Sequence, residues 1–168
     1  MTMLPFGQIA PISRRAVAYV IDALIAGGLA VVLSGIVVMI AVLTGSPEGM
    51  LVVLAIGIPV VVALELAWML VYTYMQVGTG SIGMRVQGVR LVDAESGASI
   101  GFWRALLRNV IFGLAASIVV GYFSPLFDGS GRFQGWHDKV AKSLVIDART
   151  ATPAAPPTQA MPVAQPFD

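Results

Sequence analysis

RRAVAYVIDALIAGGLAVVLSGIVVMIAVL, Arg14 to Leu43, is the stretch from which the rest of the chain is read. Two arginines precede an apolar run longer than the roughly 20 residues that a bilayer-crossing helix needs. The apolar core of a secretory signal peptide is only about 7–15 residues long, so the run reads as a retained transmembrane helix. Inside it lies one acid, Asp22. A carboxylate at such a position is costly and is by default a candidate functional group. Arg15 and Asp22 are seven residues apart, close to two helical turns, so both project from one face.

Composition bounds the rest. Of 168 residues 57% are hydrophobic and 11% charged, and the mean hydropathy is +0.85. These values describe an integral membrane protein. With no cysteine there is no disulfide framework, thiolate nucleophile or Cys-based metal site, and a lone histidine, His137, excludes a multi-histidine metal centre. A net charge of +1 makes nucleic acid an unsuitable partner.

Working outward, residues 1–13 read as a short lead-in at the membrane surface, and the first span covers residues 16–43. Gly27, Gly28 and Gly35 within it either admit a neighbouring backbone or reflect the ordinary abundance of glycine in membrane helices. Thr44–Met50 (TGSPEGM) is a turn. A second span, residues 51–75, carries Pro59 and Glu65, with Trp68, Tyr72 and Tyr74 toward its end. The two spans make a helical hairpin. Val86–Val92 then reads as a short strand, followed by the turn signal Asp93–Gly97 and room for a return strand. Residues 105–127 form a third membrane-embedded helical segment, barely long enough to cross. Leu144–Asp147 echoes the first strand, and the Pro/Ala-rich tail, residues 149–168, is disordered by composition.

All ten basic residues lie before the first span, between the second span and the front of the third segment, or after the third. The positive-inside rule therefore puts the N-terminus and residues 76–108 in the cytoplasm and the 44–50 turn outside. A third segment that crossed would leave Arg132, Lys139, Lys142 and Arg149 outside. The rule favours a segment that enters and returns, with the two strand-like pieces on the cytoplasmic side, over one that crosses.

Three patterns invite chemistry. Gly78–Gly83 (GTGSIG) matches G-x-G-x-x-G, but no alternating strand–helix pattern surrounds it, so it is read as a sharp backbone turn and no dinucleotide is expected. His137-Asp138 lacks a nucleophile, and sequence neighbours point to different helix faces; Asp138 is read as a helix-start residue or an arginine partner. Asp22 and Glu65 are stronger candidates. They lie about 9 Å and 15 Å along their helices from the cytoplasmic ends. Such a pair could carry a proton or a monovalent cation, with Arg15 tuning Asp22. Alternatively, Asp22 is a structural partner of Arg15 or Arg108.

The order and spacing of Arg15-xx-Ala18-xx-Ile21-Asp22, Gly80–Asp93 (GSIGMRVQGVRLVD), Phe102–Asn109 (FWRALLRN) and Arg132–Asp147 (RFQGWHDKVAKSLVID) resemble the RDD family of bacterial membrane proteins. The resemblance covers residues 10–148. It implies that Arg15 and Asp22 are the arginine and first aspartate of the family's name, and that Asp138 is the second aspartate. Members are mostly of unknown function, and the proposals made for them include Na⁺(Li⁺,K⁺)/H⁺ exchange. Ala141–Val145 departs from the usual ending of the last motif, and Glu65 lies outside the pattern.

The expectation is thus an all-α membrane protein, with one RDD-like domain over residues 1–148, in a bacterial inner membrane with its N-terminus cytoplasmic. Two or three spans cannot enclose a pathway, so ion or small-solute transport would need a homo-oligomer or another membrane protein. Asp22, Arg15 and Glu65 are the candidate pathway residues. Arg104, Arg108, Asp138 and His137 form a charged cytoplasmic collar. The alternative is a non-transporting scaffold that binds a cytoplasmic partner or anionic lipid. No enzyme, cofactor or metal is expected.

Overall fold

The computed structural model describes residues 3–116 and 123–151. Helix α1 runs from Ile12 to Leu43 and α2 from Pro47 to Val77. At 1.5 Å per residue each is about 47 Å long, more than a hydrocarbon core of about 30 Å. The turn between them has the expected chemistry. Ser46 caps α2 by accepting from the Gly49 N–H at 3.1 Å, with Pro47 at the first helical position. Gly45 takes the left-handed φ of +66°. Both helices leave leucine, valine and isoleucine exposed over most of their length, Val31 at 72% for example. That is the pattern of helices whose surroundings are lipid.

Gly27, Gly28 and Gly35 have nothing within 4 Å of where a Cβ would stand, so within one chain they admit no neighbour. Close approach falls elsewhere. A Cβ on Gly57 of α2 would collide with Val37 of α1, and one on Gly83 would collide with the Ala18 carbonyl.

Beyond α2 the chain folds into a compact end-piece. Short helix α3, Ile82–Gln87, comes first, then strand β3, Val89–Asp93. The expected strand thus begins three residues late, because Ser81 caps a helical turn first. Helix α4, Phe102–Ala116, is followed past the undescribed residues 117–122 by a 3₁₀ turn, Ser124–Phe127. Helix α5, Trp136–Val140, then leads into strand β4, Ser143–Asp147. The tail beyond Ala151 lies outside the described residues.

β3 and β4 pair antiparallel, Val89 opposite Asp147 through Asp93 opposite Ser143. The turn at Asp93 therefore leads to no local return strand; the partner comes from some fifty residues downstream. Ile9 bridges to Ile146 on the other edge of β4, and an N-terminal ribbon of two-residue strands, β1 (Met3–Leu4) with β2 (Gly7–Gln8), lies ahead of it. Strand side chains alternate between faces. Accordingly Val145 packs with Val89, Leu91, Ile100 and Ala105, while Leu144 and Ile146 pack with Val92 and Ile9.

α4 lies alongside α2. Asn109 donates from Nδ2 to Thr73 Oγ1 and to Gln76 Oε1, both at 2.9 Å, in the last turns of α2. One turn further on, Phe112 and Gly113 share a cavity with Glu65, Trp68 and Met69. α4 thus runs back along α2 from its C-terminal end. The 3₁₀ turn is again at the ribbon end, where Ser124 Oγ accepts from the Trp136 N–H at 3.3 Å. Of the expected helical segment over residues 105–127, α4 through Ala116 and the 3₁₀ turn are described, and residues 117–122 lie outside the described residues.

Candidate functional site

Asp22 lies seven residues past Arg15, nearly three turns into α1, which starts at Ile12, and is 8% exposed. Its partners all come from the second helix and the piece after it. Ser81 Oγ donates to Oδ2 at 2.6 Å, the Gly83 N–H to Oδ1 at 2.7 Å, and the Tyr72 hydroxyl to Oδ2 at 3.3 Å. The carboxylate thereby ties the start of α3 to the middle of α1. Glycine at position 83 lets the two backbones meet, because any side chain there would strike Ala18. The glycine-rich GTGSIG stretch is therefore the turn that delivers these two donors to Asp22.

Arg15 does not bond to Asp22. Its Nη2 donates to Asp138 Oδ2 at 2.7 Å, and its Nη1 to the Phe133 carbonyl. Arg108, on α4, donates from Nε to the other oxygen of Asp138 at 2.8 Å. Asp138, wholly buried, also accepts from the Gly135 N–H at 3.2 Å, closing the first turn of α5. Burial alone would raise its carboxyl, yet Arg108, with His137 and Arg15, holds it well below the usual carboxylate range. One residue thus joins α1, α4 and α5.

His137 is adjacent and nearly as buried. Its Nε2 is 3.4 Å from Asp138 Oδ1, and its ring meets Phe112 edge-on with centroids 4.7 Å apart. The two sequence neighbours therefore do approach each other, because α5 is only five residues long and both side chains turn inward. Burial pushes the imidazole down to about 4; Asp138 opposes this and Arg108 and Arg15 reinforce it. Both oxygens of Asp138 are thus committed to the two arginines, Arg15 and Arg108.

Arg104, grouped by the sequence with Arg108, Asp138 and His137, lies apart from them. It pairs with Asp93 at 2.8 Å and donates to the carbonyls of Ala141 and Lys142, clamping the two strands' ends. Burial works against ionised Asp93, but hydrogen bonds from Ser96, Arg104 and Glu95 keep its carboxyl well below the usual range. Arg14 holds Asp147 at 2.7 Å, and Lys139 holds Asp128 at 3.0 Å.

Glu65 differs from all of these. Its Oε1 is buried and makes no hydrogen bond among the described residues. It lines a cavity of about 420 Å³ between α1, α2 and α4, together with Tyr19, Asp22, Trp68, Tyr72, Arg108 and Phe112. A second cavity, about 430 Å³, shares Tyr19, Asp22, Tyr72, Arg108 and Phe112 and opens toward Arg15, His137 and Leu126. No cluster of three or more His, Asp or Glu side chains occurs among the described residues.

The arginine, the first aspartate inside α1 and the buried aspartate of α5 are thus each placed, and residues 9–142 match the family model described as the RDD family. The chain belongs to the RDD family. No match was found among curated proteins or among solved structures. With two helices long and apolar enough to cross a bilayer, this is an RDD membrane protein. Arg15 and Asp22 take part in two separate ties here. Arg15 belongs with Asp138, and Asp22 with Ser81 and Gly83.

Sequence reasoning missed Tyr72, Ser81 and Asn109. Ser81 had a signal in the serine that closes the glycine-rich turn. Asn109 followed Arg108 directly in FWRALLRN, but nothing in the sequence tied it to Thr73 and Gln76.

Proposed function

We propose that this RDD protein takes part in proton-linked movement of a monovalent cation, as a homo-oligomer or with another membrane protein. The observation that carries the reading is Glu65: its Oε1 is buried beside a cavity of the helical hairpin, with no donor among the described residues. Burying a polar oxygen unpaired costs free energy, and a cation or proton supplies what is lacking. Asp22 and Asp138 are less suited to exchange, since their oxygens already accept from protein donors. Glu65 is therefore the exchanging group, and Arg15, Asp22 and Asp138 hold the frame around it. No catalytic role is assigned to any residue.

In this reading the N-terminus and the β3–β4 ribbon face the cytoplasm of a bacterial inner membrane, where the positive-inside rule puts their arginines. α4 enters the bilayer beside α2, and the chain returns at the 3₁₀ turn. The pairing of β3, before α4, with β4, after it, supports that path. The purified protein in liposomes with an enclosed pH dye, under imposed Na⁺ or K⁺ gradients, tests exchange. Wild type should move protons and Glu65→Gln should not. Indistinguishable traces from the two would end the reading.

A scaffold role is favoured by a different observation. Arg85, Arg90 and Trp103 are exposed on the end-piece and could meet anionic headgroups or a soluble partner. A partner captured by wild type and lost on replacing Arg85 and Arg90 would favour it.

A further inference from the structure

The cavity beside Glu65 is defined by its walls as much as by its charge. Three carboxylates, Asp22, Glu65 and Asp138, and two guanidiniums, Arg15 and Arg108, line the two adjoining cavities or bond to residues that do. His137 is uncharged at neutral pH. One negative charge is left over, and Glu65 is the acid whose buried Oε1 has no donor among the described residues. From α1, Tyr19 and Asp22 face this cavity; from α2, Trp68 and Tyr72; from α4, Arg108, Asn109 and Phe112.

An inorganic cation stripped of water needs several oxygens around it. Few are spare here. Both oxygens of Asp22 are occupied, and the Tyr72 hydroxyl points its proton at Asp22. Four aromatic rings make up much of the remaining wall. Aromatic faces attract cations, most strongly when these are poorly hydrated. The space, about 420 Å³, is of the size that holds a small organic molecule. Arg108 does not cancel the preference, since its Nε is held by Asp138 at 2.8 Å.

We infer that this cavity binds a lipophilic organic cation, an ammonium or phosphonium carrying apolar groups, with Glu65 as the counter-charge and the rings of Tyr19, Trp68, Tyr72 and Phe112 as its walls. The inference rests on the reading above in taking Glu65 as the cation-binding carboxylate, and it narrows the cation to an organic one.

Tetraphenylphosphonium is the probe, with tetraphenylborate as the anion of matched shape, titrated into the full chain in nanodiscs by calorimetry. Saturable binding of the phosphonium alone is expected, weakened about tenfold or more by Glu65→Gln and largely kept by Glu65→Asp. Equal binding of the two ions, or undiminished binding by Glu65→Gln, would overturn the inference. Should Glu65→Gln fail to fold, wild type is treated with dicyclohexylcarbodiimide and the peptide carrying Glu65 is weighed. Protection by the phosphonium supports the site, and labelling unchanged by it overturns the site. Glu65-dependent proton flux with Na⁺ and no phosphonium binding would sink the organic cation and leave exchange standing. Phosphonium binding without any flux would keep the site and remove transport.

Discussion

Arg15 donates to Asp138, 123 residues away in sequence, and leaves Asp22 on its own helix to other donors. Two charges on one helical face thus serve two different joints. One fastens α1 to α5 and, through Arg108, to α4; the other fastens α1 to the start of α3.

The first joint carries the larger energetic stake. Asp138→Asn leaves two buried guanidiniums facing a neutral amide, and breaking a buried ion pair in this way costs about 3–5 kcal/mol. Unfolding of the purified protein in mixed micelles should register that loss. A double-mutant cycle with Arg15→Gln should give a coupling of at least 1 kcal/mol, and additive losses would contradict the shared joint.

At the second joint, Asp22→Ala strips acceptors from the Ser81 hydroxyl and the Gly83 N–H. Each orphaned buried donor costs about 1–3 kcal/mol. Gly83→Ala should be comparably damaging for a steric reason, since its methyl meets the Ala18 carbonyl. Both variants should lose stability whatever the protein transports. A stable Asp22→Ala variant would return Asp22 to the list of exchange groups.

His137 makes stability depend on pH. Its folded value of about 4 lies below the ordinary 6.5, so between those limits the unfolded chain holds a proton that the folded chain refuses. The stabilising difference is present above pH 6.5 and is lost as pH falls toward 4, with a ceiling on the order of 3 kcal/mol. Denaturation midpoints across this window should flatten in His137→Gln. Asp138, held low, loses its contribution only as pH falls below about 4, which keeps the two windows apart.

Topology is checked with single cysteines, since the chain has none of its own. Glu48→Cys should react with an impermeant maleimide in intact cells, and Ser130→Cys only in inverted vesicles. Labelling of Ser130→Cys from outside would mean that the chain crosses a third time.

Much of this fold was legible in the sequence. The length of the apolar runs, the turn at Thr44–Met50 and the strand character near Val92 and Val145 are local properties, and local properties survive in a linear reading. The GTGSIG stretch was legible as a turn by the same logic. Of the candidate residues read from the sequence, Asp22, Arg15, Glu65, Arg108, His137 and Asp138 line the cavities or bond to residues that do, and Arg104 does not.

What only the tertiary structure decided is who answers whom. Helical spacing places Arg15 and Asp22 on one face, but spacing says nothing about which side chains of other elements reach that face first. Asp138 reaches Arg15 because β4 returns to pair with β3 and brings α5 with it. Ser81 and Gly83 reach Asp22 because a glycine lets α3 close against α1. Electrostatic pairing in a low-dielectric interior is settled by such contacts at hydrogen-bond distance. By itself the sequence determined a hairpin of lipid-facing helices with a few costly charges. Tertiary structure then supplied donors to Asp22 and Asp138, while Glu65 keeps a buried oxygen with no donor among the described residues.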